Sequence, residues 1–367
     1  MEPARDPLPP ARPAAIEVVR LSLPLAEPFA AAHGTESTKE AVLVRAVDAE
    51  GREGWGECPA LSAPTYTGEW ADGAASVLTR FLVPAALAGR SAGVVGHPMA
   101  TAALDAALLH LRLAVAGRTL PGWLGAARSR VPCGVALGLA GSVDEVLGAV
   151  ERALVGGYVR VKLKIRPGFD VEPVRAVRAA WPAVALGVDA NGAYGRDALS
   201  GPLRALDACG LVEIEQPLPA GDLVGLAEAR RRLATPVCLD ESIGSVADLE
   251  TALALGAVGH VNLKPARVGG IAAAMAVHDL AVRQGIPLWV GGMLETGVGK
   301  AVCVAFAALP GATLPGDLPA STRWFADDLT DPWVVDADGT MAVRPLGEVR
   351  LPAGAVRQVV TAVDGPS

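Results

Sequence analysis

The sequence predicts an α/β protein: an α+β module leading into a (β/α)8 barrel or a doubly wound sheet. Three observations carry that expectation. From residue 131 onward, short β-branched or apolar runs alternate with helical stretches, the rhythm of βα units. Before residue 131 the pattern is strands followed by helices, as in an antiparallel α+β module. The chain has 367 residues, 51% hydrophobic and 19% charged. That length suits two domains or one large barrel with additions, and the balance is too apolar for disorder throughout.

In chain order, residues 1–13 are polar and proline-rich and read as a disordered leader, without the apolar segment of a secretory signal. Residues 16–19 and 42–47 are strand-like. The turn Asp48-Ala49-Glu50-Gly51 then leads to a hairpin return at Gly54-Trp55-Gly56-Glu57. Residues 71–116 are rich in Ala and Leu, with Leu104, Leu108, Leu111 and Val115 at helical spacing. Eight strand-like runs follow, at 131–137, 158–165, 184–188, 211–214, 237–239, 258–263, 286–290 and 312–314. Beyond Pro315 the rhythm is lost, and the tail, with a short strand at 341–344, is assigned back to the N-terminal module. The expected domains are therefore a cap over 14–130 together with 319–367, and a barrel over 131–318.

Charge and cysteine content narrow the function. Lys and Arg number 32 against 39 Asp and Glu, a net charge of −7. This argues against nucleic acid or an anionic membrane as the main partner. The densest basic cluster, Arg230-Arg231-Arg232, reads as the solvated face of a helix. Five widely spaced cysteines with no CxxC pair suit reduced, buried thiols in a cytoplasmic protein. No stretch reaches the roughly 18 uninterrupted apolar residues of a membrane helix.

The chemistry lies at the strand ends. Lys164, Asp189, Glu215, Asp240 and Lys264 each close a predicted strand, at steps of 25, 26, 25 and 24 residues. One βα unit is about that long, so each arrives at the C-terminal face of a barrel, where active sites sit. Any one of these acids alone reads as a helix cap; five in phase do not. Three carboxylates without His or Cys make a hard oxygen site suited to Mg²⁺ rather than zinc. Lys162 and Lys164 share a strand face, and their repulsion is expected to depress the pKa of Lys164 towards neutrality. A lysine base beside Mg²⁺ suits removal of the proton α to a carboxylate.

With these residues in place, the sequence resembles the enolase superfamily in its muconate-lactonizing subgroup, where a Lys base with Mg²⁺ is the known pattern. More narrowly it resembles the o-succinylbenzoate synthases and N-succinylamino acid racemases. The resemblance rests on Val161-Lys162-Leu163-Lys164-Ile165, Val188-Asp189-Ala190-Asn191, Ile214-Glu215-Gln216-Pro217 and Leu239-Asp240-Glu241-Ser242. Asn262-Leu263-Lys264-Pro265-Ala266-Arg267, Gly291-Gly292-Met293-Leu294-Glu295-Thr296-Gly297 and Leu314-Pro315-Gly316-Asp317 complete it. It implies a modified, TIM-like (β/α)7β barrel under an α+β capping domain. Asp189, Glu215 and Asp240 would ligate Mg²⁺, with Mn²⁺ able to substitute, and Lys164 and Lys264 would form the acid/base pair. Lys162, Asn191, Glu241 and Arg267 would support them from behind. His33, Tyr66, Ala136, Gly292, Met293 and Glu295 are candidates for meeting substrate, with cap loops 29–39 and 62–69 selecting it. The implied reaction is dehydration of 2-succinyl-6-hydroxy-2,4-cyclohexadiene-1-carboxylate to o-succinylbenzoate, in menaquinone synthesis. Racemisation of N-succinyl or N-acyl amino acids is the alternative, and a muconate-type cycloisomerase the more distant one. The expected partner is a small carboxylate substrate, in a homo-oligomer.

Two stretches depart from the family pattern. The cap loop commonly reads Pro-Phe-x-Thr-Ser-x-Gly-Thr, but here it has Ala31 and Ala32 where hydroxyls would stand, and strand one has Ala136 in place of Ser. Lost pocket hydroxyls bear on specificity more than on catalysis. Two other motifs fail their structural requirements. Gly89-Arg90-Ser91-Ala92-Gly93 lacks the preceding strand of a nucleophile elbow, and Gly297-Val298-Gly299-Lys300-Ala301 lacks the first Gly and final Ser/Thr of a phosphate loop.

Overall fold

The computed structural model describes residues 7–31 and 34–363, so His33 and Ala32 lie outside the described residues. Strands β1 (Ala15–Ala31), β2 (Gly34–Val47) and β3 (Glu53–Cys58) form an antiparallel meander. Alternation along them sorts side chains onto two faces. Ile16, Val18, Val42 and Val44 pack under the helices of the cap, whereas Val19, Leu21, Leu23 and Leu43 pack with Trp324 and Phe325. Both faces are thus covered.

The helix Pro98–Val115 lies directly on β3. A Cβ on Gly56 would sit 1.9 Å from the carbonyl oxygen of Ala103, and one on Gly54 would sit 2.0 Å from that of Ala107. Backbone meets backbone there, so neither position tolerates a side chain. Gly56→Ala is therefore expected to lower stability by about 3 kcal/mol, the upper end of an overpacking cost, read as a fall in the urea midpoint. An unchanged midpoint would mean that the helix slides without penalty. By length and composition alone this helix could cross a membrane, yet 56% of it is buried inside the molecule.

The described part of the expected leader is seated rather than loose. Leu8 is buried with Leu109 and Leu113, and Arg112 donates to the carbonyls of Leu8 and Pro9.

Seven parallel strands follow in sequence order: β4 (Arg130–Leu137), β5 (Arg160–Lys164), β6 (Ala185–Asp189), β7 (Ile214–Glu215), β8 (Val237–Leu239), β9 (His260–Leu263) and β10 (Leu288–Val290). Helices connect them. Several start on a side-chain cap, as Ser142, Asp222, Ser245 and Thr296 each accept a bond from an orphan N–H of the first turn.

The expected eighth strand at 312–314 is displaced. Ala312 makes only an isolated bridge to Leu288, and the paired strand is β11 (Gly316–Asp317), alongside Cys133 and Gly134 of β4. Pro315 has no N–H to give a ladder, so pairing resumes only beyond it. Segment 312–317 therefore touches β10 at one end and β4 at the other, closing the ring.

The tail also divides. The strand expected at 341–344 is β12 (Thr340–Ala342), which pairs with β4 of the barrel rather than with the cap. The last strand, β13 (Val356–Val363), does return to the N-terminal sheet, beside β1.

Candidate active site

Lys164, Asp189 and Glu215 end β5, β6 and β7 in one register line that continues to Cys238 and His260. Asp240 stands two residues beyond that line and Lys264 four. Barrel strands tilt, so a register line slopes across the wall. An advance of four residues over four strand steps matches the shear of an eight-stranded barrel and returns all five residues to one rim.

Asp189, Glu215 and Asp240 are buried, and one carboxylate oxygen from each lies within 4.8 Å of the others. Burial, and then the charge of Asp189, pushes the Glu215 carboxyl well above its usual range, against the pull of Lys162. Burial opposes Asp189 and Asp240 as well. Lys164 and Lys162 nevertheless hold Asp189 below the usual range, and Arg267 and Lys264 do the same for Asp240. Behind the cluster, burial and the charges of Asp240 and Asp189 push Glu241 up to about 7, and its buried Oε2 has no hydrogen-bond partner. An all-oxygen cluster whose middle member resists ionisation fits a hard divalent cation.

On one flank, Lys164 Nζ donates to Asp189 Oδ2 at 2.7 Å and to Asn191 Oδ1 at 2.6 Å. Asn191 in turn donates to Glu241 at 2.8 Å. Lys162 Nζ reaches Glu215 at 2.5 Å, Asp317 at 2.7 Å and Asp189 at 3.3 Å. Burial works against this ammonium, but Asp317, Glu215 and Asp189 together hold its pKa well above the usual value. The two lysines share a face as expected. Asp189 Oδ2 contacts both ammonium groups, however, so a carboxylate offsets the repulsion expected between them.

On the opposite flank, Lys264 Nζ donates to Asp240 Oδ2 at 2.9 Å and to Tyr66 Oη at 2.8 Å. Arg267 is paired with Asp240 Oδ1 and donates to Tyr66 Oη at 3.1 Å. Tyr66 comes from the cap, so the cap loop is bonded to the barrel rim. Gln216, at a positive φ of 36°, ties the ends of β7 and β8 together. Its Oε1 accepts from the amides of Asp240 and Ser242, and its Nε2 donates to Ser242 Oγ.

These groups open into a cavity of about 90 Å³. Lys162, Lys164, Lys264, Asp189 and Asn191 line it, with Tyr66, Ala136, Gly292, Met293 and Glu295 of the expected substrate contacts. His33 lies outside the described residues.

Sequence reasoning assigned no role to Asp317, Asn262, Trp289 or Lys300. Asp317 joins Lys162 to Arg160, and Asn262 donates to Glu215 Oε1 at 2.8 Å. The Trp289 ring lies 4.7 Å from Lys162 Nζ. A strand carrying charge at every second position, as Arg160, Lys162 and Lys164 do, was the available signal that β5 points its charges into the barrel.

Adding Mg²⁺ to chelator-treated protein is expected to raise its Tm, with about 2.7 kcal/mol of stabilisation at a hundredfold excess over Kd. Glu215→Gln should lose most of that shift. An undiminished shift in the variant would place the cation elsewhere.

Comparisons with known proteins identify the family of the chain. Residues 145–347 match the Enolase C-terminal domain-like family. The chain is 47% identical over 332 residues to an N-succinylamino acid racemase from Amycolatopsis sp., covering 87% of this chain and 89% of that one. It is 42% identical over 333 residues to an o-succinylbenzoate synthase from Geobacillus kaustophilus, covering 88% of each. A solved member of the enolase superfamily from Listeria innocua superposes with a TM-score of 0.90 at 32% identity, over 96% of this chain and 100% of that one.

Proposed function

The chain belongs to the enolase superfamily, in the family of o-succinylbenzoate synthases and N-succinylamino acid racemases, and on that premise we propose that it removes the proton α to a substrate carboxylate with Mg²⁺ bound. The principal reaction in this reading is dehydration of 2-succinyl-6-hydroxy-2,4-cyclohexadiene-1-carboxylate to o-succinylbenzoate, in the cytoplasm. Racemisation of N-succinyl or other N-acyl amino acids is a second reaction of the same site. One observation carries the reading: two lysine ammonium groups flank a buried three-acid cluster from opposite sides and open into one cavity.

Asp189, Glu215 and Asp240 would hold the cation, with Mn²⁺ able to replace Mg²⁺. The cation supplies electrostatic stabilisation of the negative charge that develops on the substrate carboxylate. Lys164 Nζ takes the α-proton and then returns it to the departing hydroxyl, which leaves as water. Lys264 stays cationic on the other face and steadies the same developing charge. In racemisation Lys264 delivers a proton from its own face, and the two lysines exchange roles for the opposite enantiomer. Lys162, held charged by Asp317 and Glu215, orients the carboxylate and never needs to lose its proton. Tyr66 and Phe29, from the cap, exclude water.

The test follows loss of the cyclohexadiene ultraviolet absorbance with and without a chelator. Rapid, chelator-sensitive conversion is expected. Failure of folded, Mg²⁺-loaded protein to convert it, alongside α-proton exchange of N-acyl amino acids in D₂O, would make racemisation the primary activity.

A further inference from the structure

Four lysines line the cavity, and three of them have work in the reaction proposed above. Lys162, Lys164 and Lys264 each have a carboxylate within 4.0 Å. Lys300, on the helix Gly297–Ala307, is also buried and also lines the cavity. Among the described residues no carboxylate lies within ion-pair distance of it, and its ammonium donates only to the carbonyl of Pro319. Burial pushes its pKa below the usual value, while Asp328 and Glu295 act on it only from beyond ion-pair distance. The nearby Glu295 carboxylate is itself engaged, accepting from Met293 N at 2.7 Å. A buried cation without a counter-ion is costly, and this one faces the space that a substrate fills. Apolar side chains of Phe29, Leu61, Met293, Leu294 and Trp324 complete the cavity wall, which suits an alkyl chain ending in an anion.

We propose that Lys300 is a specificity-determining residue that binds a second, distal carboxylate of the substrate, so that the site selects acyl chains ending in a carboxylate over neutral ones. This rests on the reading that the cavity binds acylated α-carboxylates beside the three-acid cluster. A hydrogen-bonded ion pair to a charged group is worth roughly 1.5–3 kcal/mol, which corresponds to about ten- to a hundredfold in kcat/KM.

The experiment compares N-succinyl-L-phenylalanine with N-butanoyl-L-phenylalanine, which lacks the distal carboxylate, by α-proton exchange in D₂O on the Mg²⁺-loaded enzyme. Wild type is expected to prefer the succinyl substrate ten- to a hundredfold. In Lys300→Met that ratio should fall towards one, and Lys300→Arg should restore part of it. A clamp between the helix and Pro319 would act on both substrates alike, so equal losses that leave the ratio intact would overturn the inference. So would a wild-type ratio near one, a measurement that needs no variant to fold. Exchange of neither substrate, together with no dehydration of the cyclohexadiene, would instead overturn the functional reading itself.

Discussion

Lys164→Ala is expected to lower kcat for dehydration by about 10⁴-fold, the upper end of what a positioned acid/base group contributes, or roughly 5.5 kcal/mol in the barrier. The size follows from the double task that the proposed reaction gives this amine, first taking the proton and then protonating the leaving hydroxyl. The fold should survive, because removing the ammonium leaves Asp189 with Lys162 at 3.3 Å and the Asn191 amide at 2.9 Å. The Mg²⁺-dependent rise in Tm should therefore persist in the variant. Racemisation offers a sharper readout. With Lys164 and Lys264 on opposite flanks, each alanine variant should abolish α-proton exchange from one enantiomer while sparing first-proton exchange from the other. Loss from both enantiomers in either variant would mean that the lysines act as one unit on one face. An unfolded Lys164→Ala protein would assign that residue a structural task.

Glu213→Leu should cost stability rather than chemistry, by about 3–5 kcal/mol, the toll of stranding one partner of a buried ion pair. Arg160 and Glu213 are both buried in the barrel and meet at 2.7 Å. Glu213 also accepts from the Trp289 indole at 3.1 Å and contacts His260 at 3.0 Å, whereas Arg160 keeps Asp317. Removing Glu213 takes the carboxylate from one arm of the buried guanidinium and leaves that arm only the face of the Trp289 ring, 4.1 Å from Arg160 Cζ. The double variant Arg160→Met/Glu213→Leu should recover most of the loss, because both charges leave together. Urea midpoints for the two single variants and the double one decide the matter. Additive losses would show that the pair is not an energetic unit.

The barrel and its rim were legible in the sequence for a physical reason. A βα unit has a nearly fixed length, so Lys164, Asp189, Glu215, Asp240 and Lys264 could be phased by counting alone. The shear that lifts Asp240 and Lys264 relative to their neighbours was not legible, because spacing along the chain carries no information on strand tilt. Nor was the shift of the closing strand past Pro315, where three apolar residues at 312–314 imitate a strand that the proline denies a ladder. Asp317 escaped assignment because its task depends on Lys162 and Arg160, over 150 positions away in sequence. Arg160 and Glu213 gave a faint signal through period-two charge on strands, but barrel interiors are normally filled by branched aliphatic residues, and nothing local says that this one is filled by ions. The seating of residues 7–13 was missed because a single leucine among prolines has no periodicity to read.

The closing strand has a consequence for how this protein can change. Gly316 and Asp317 are the final hoop of the ring, and Asp317 reaches past β4 to grip Arg160 and Lys162 on β5. Circumferential closure and the charge balance of the reaction chamber thus share one side chain. Divergence towards new substrates has more room along the cap loops and on the helix bearing Lys300, which line the chamber without being strands of the ring. A replacement at the clasp alters the hoop and the chamber together, so selection on either one constrains the other.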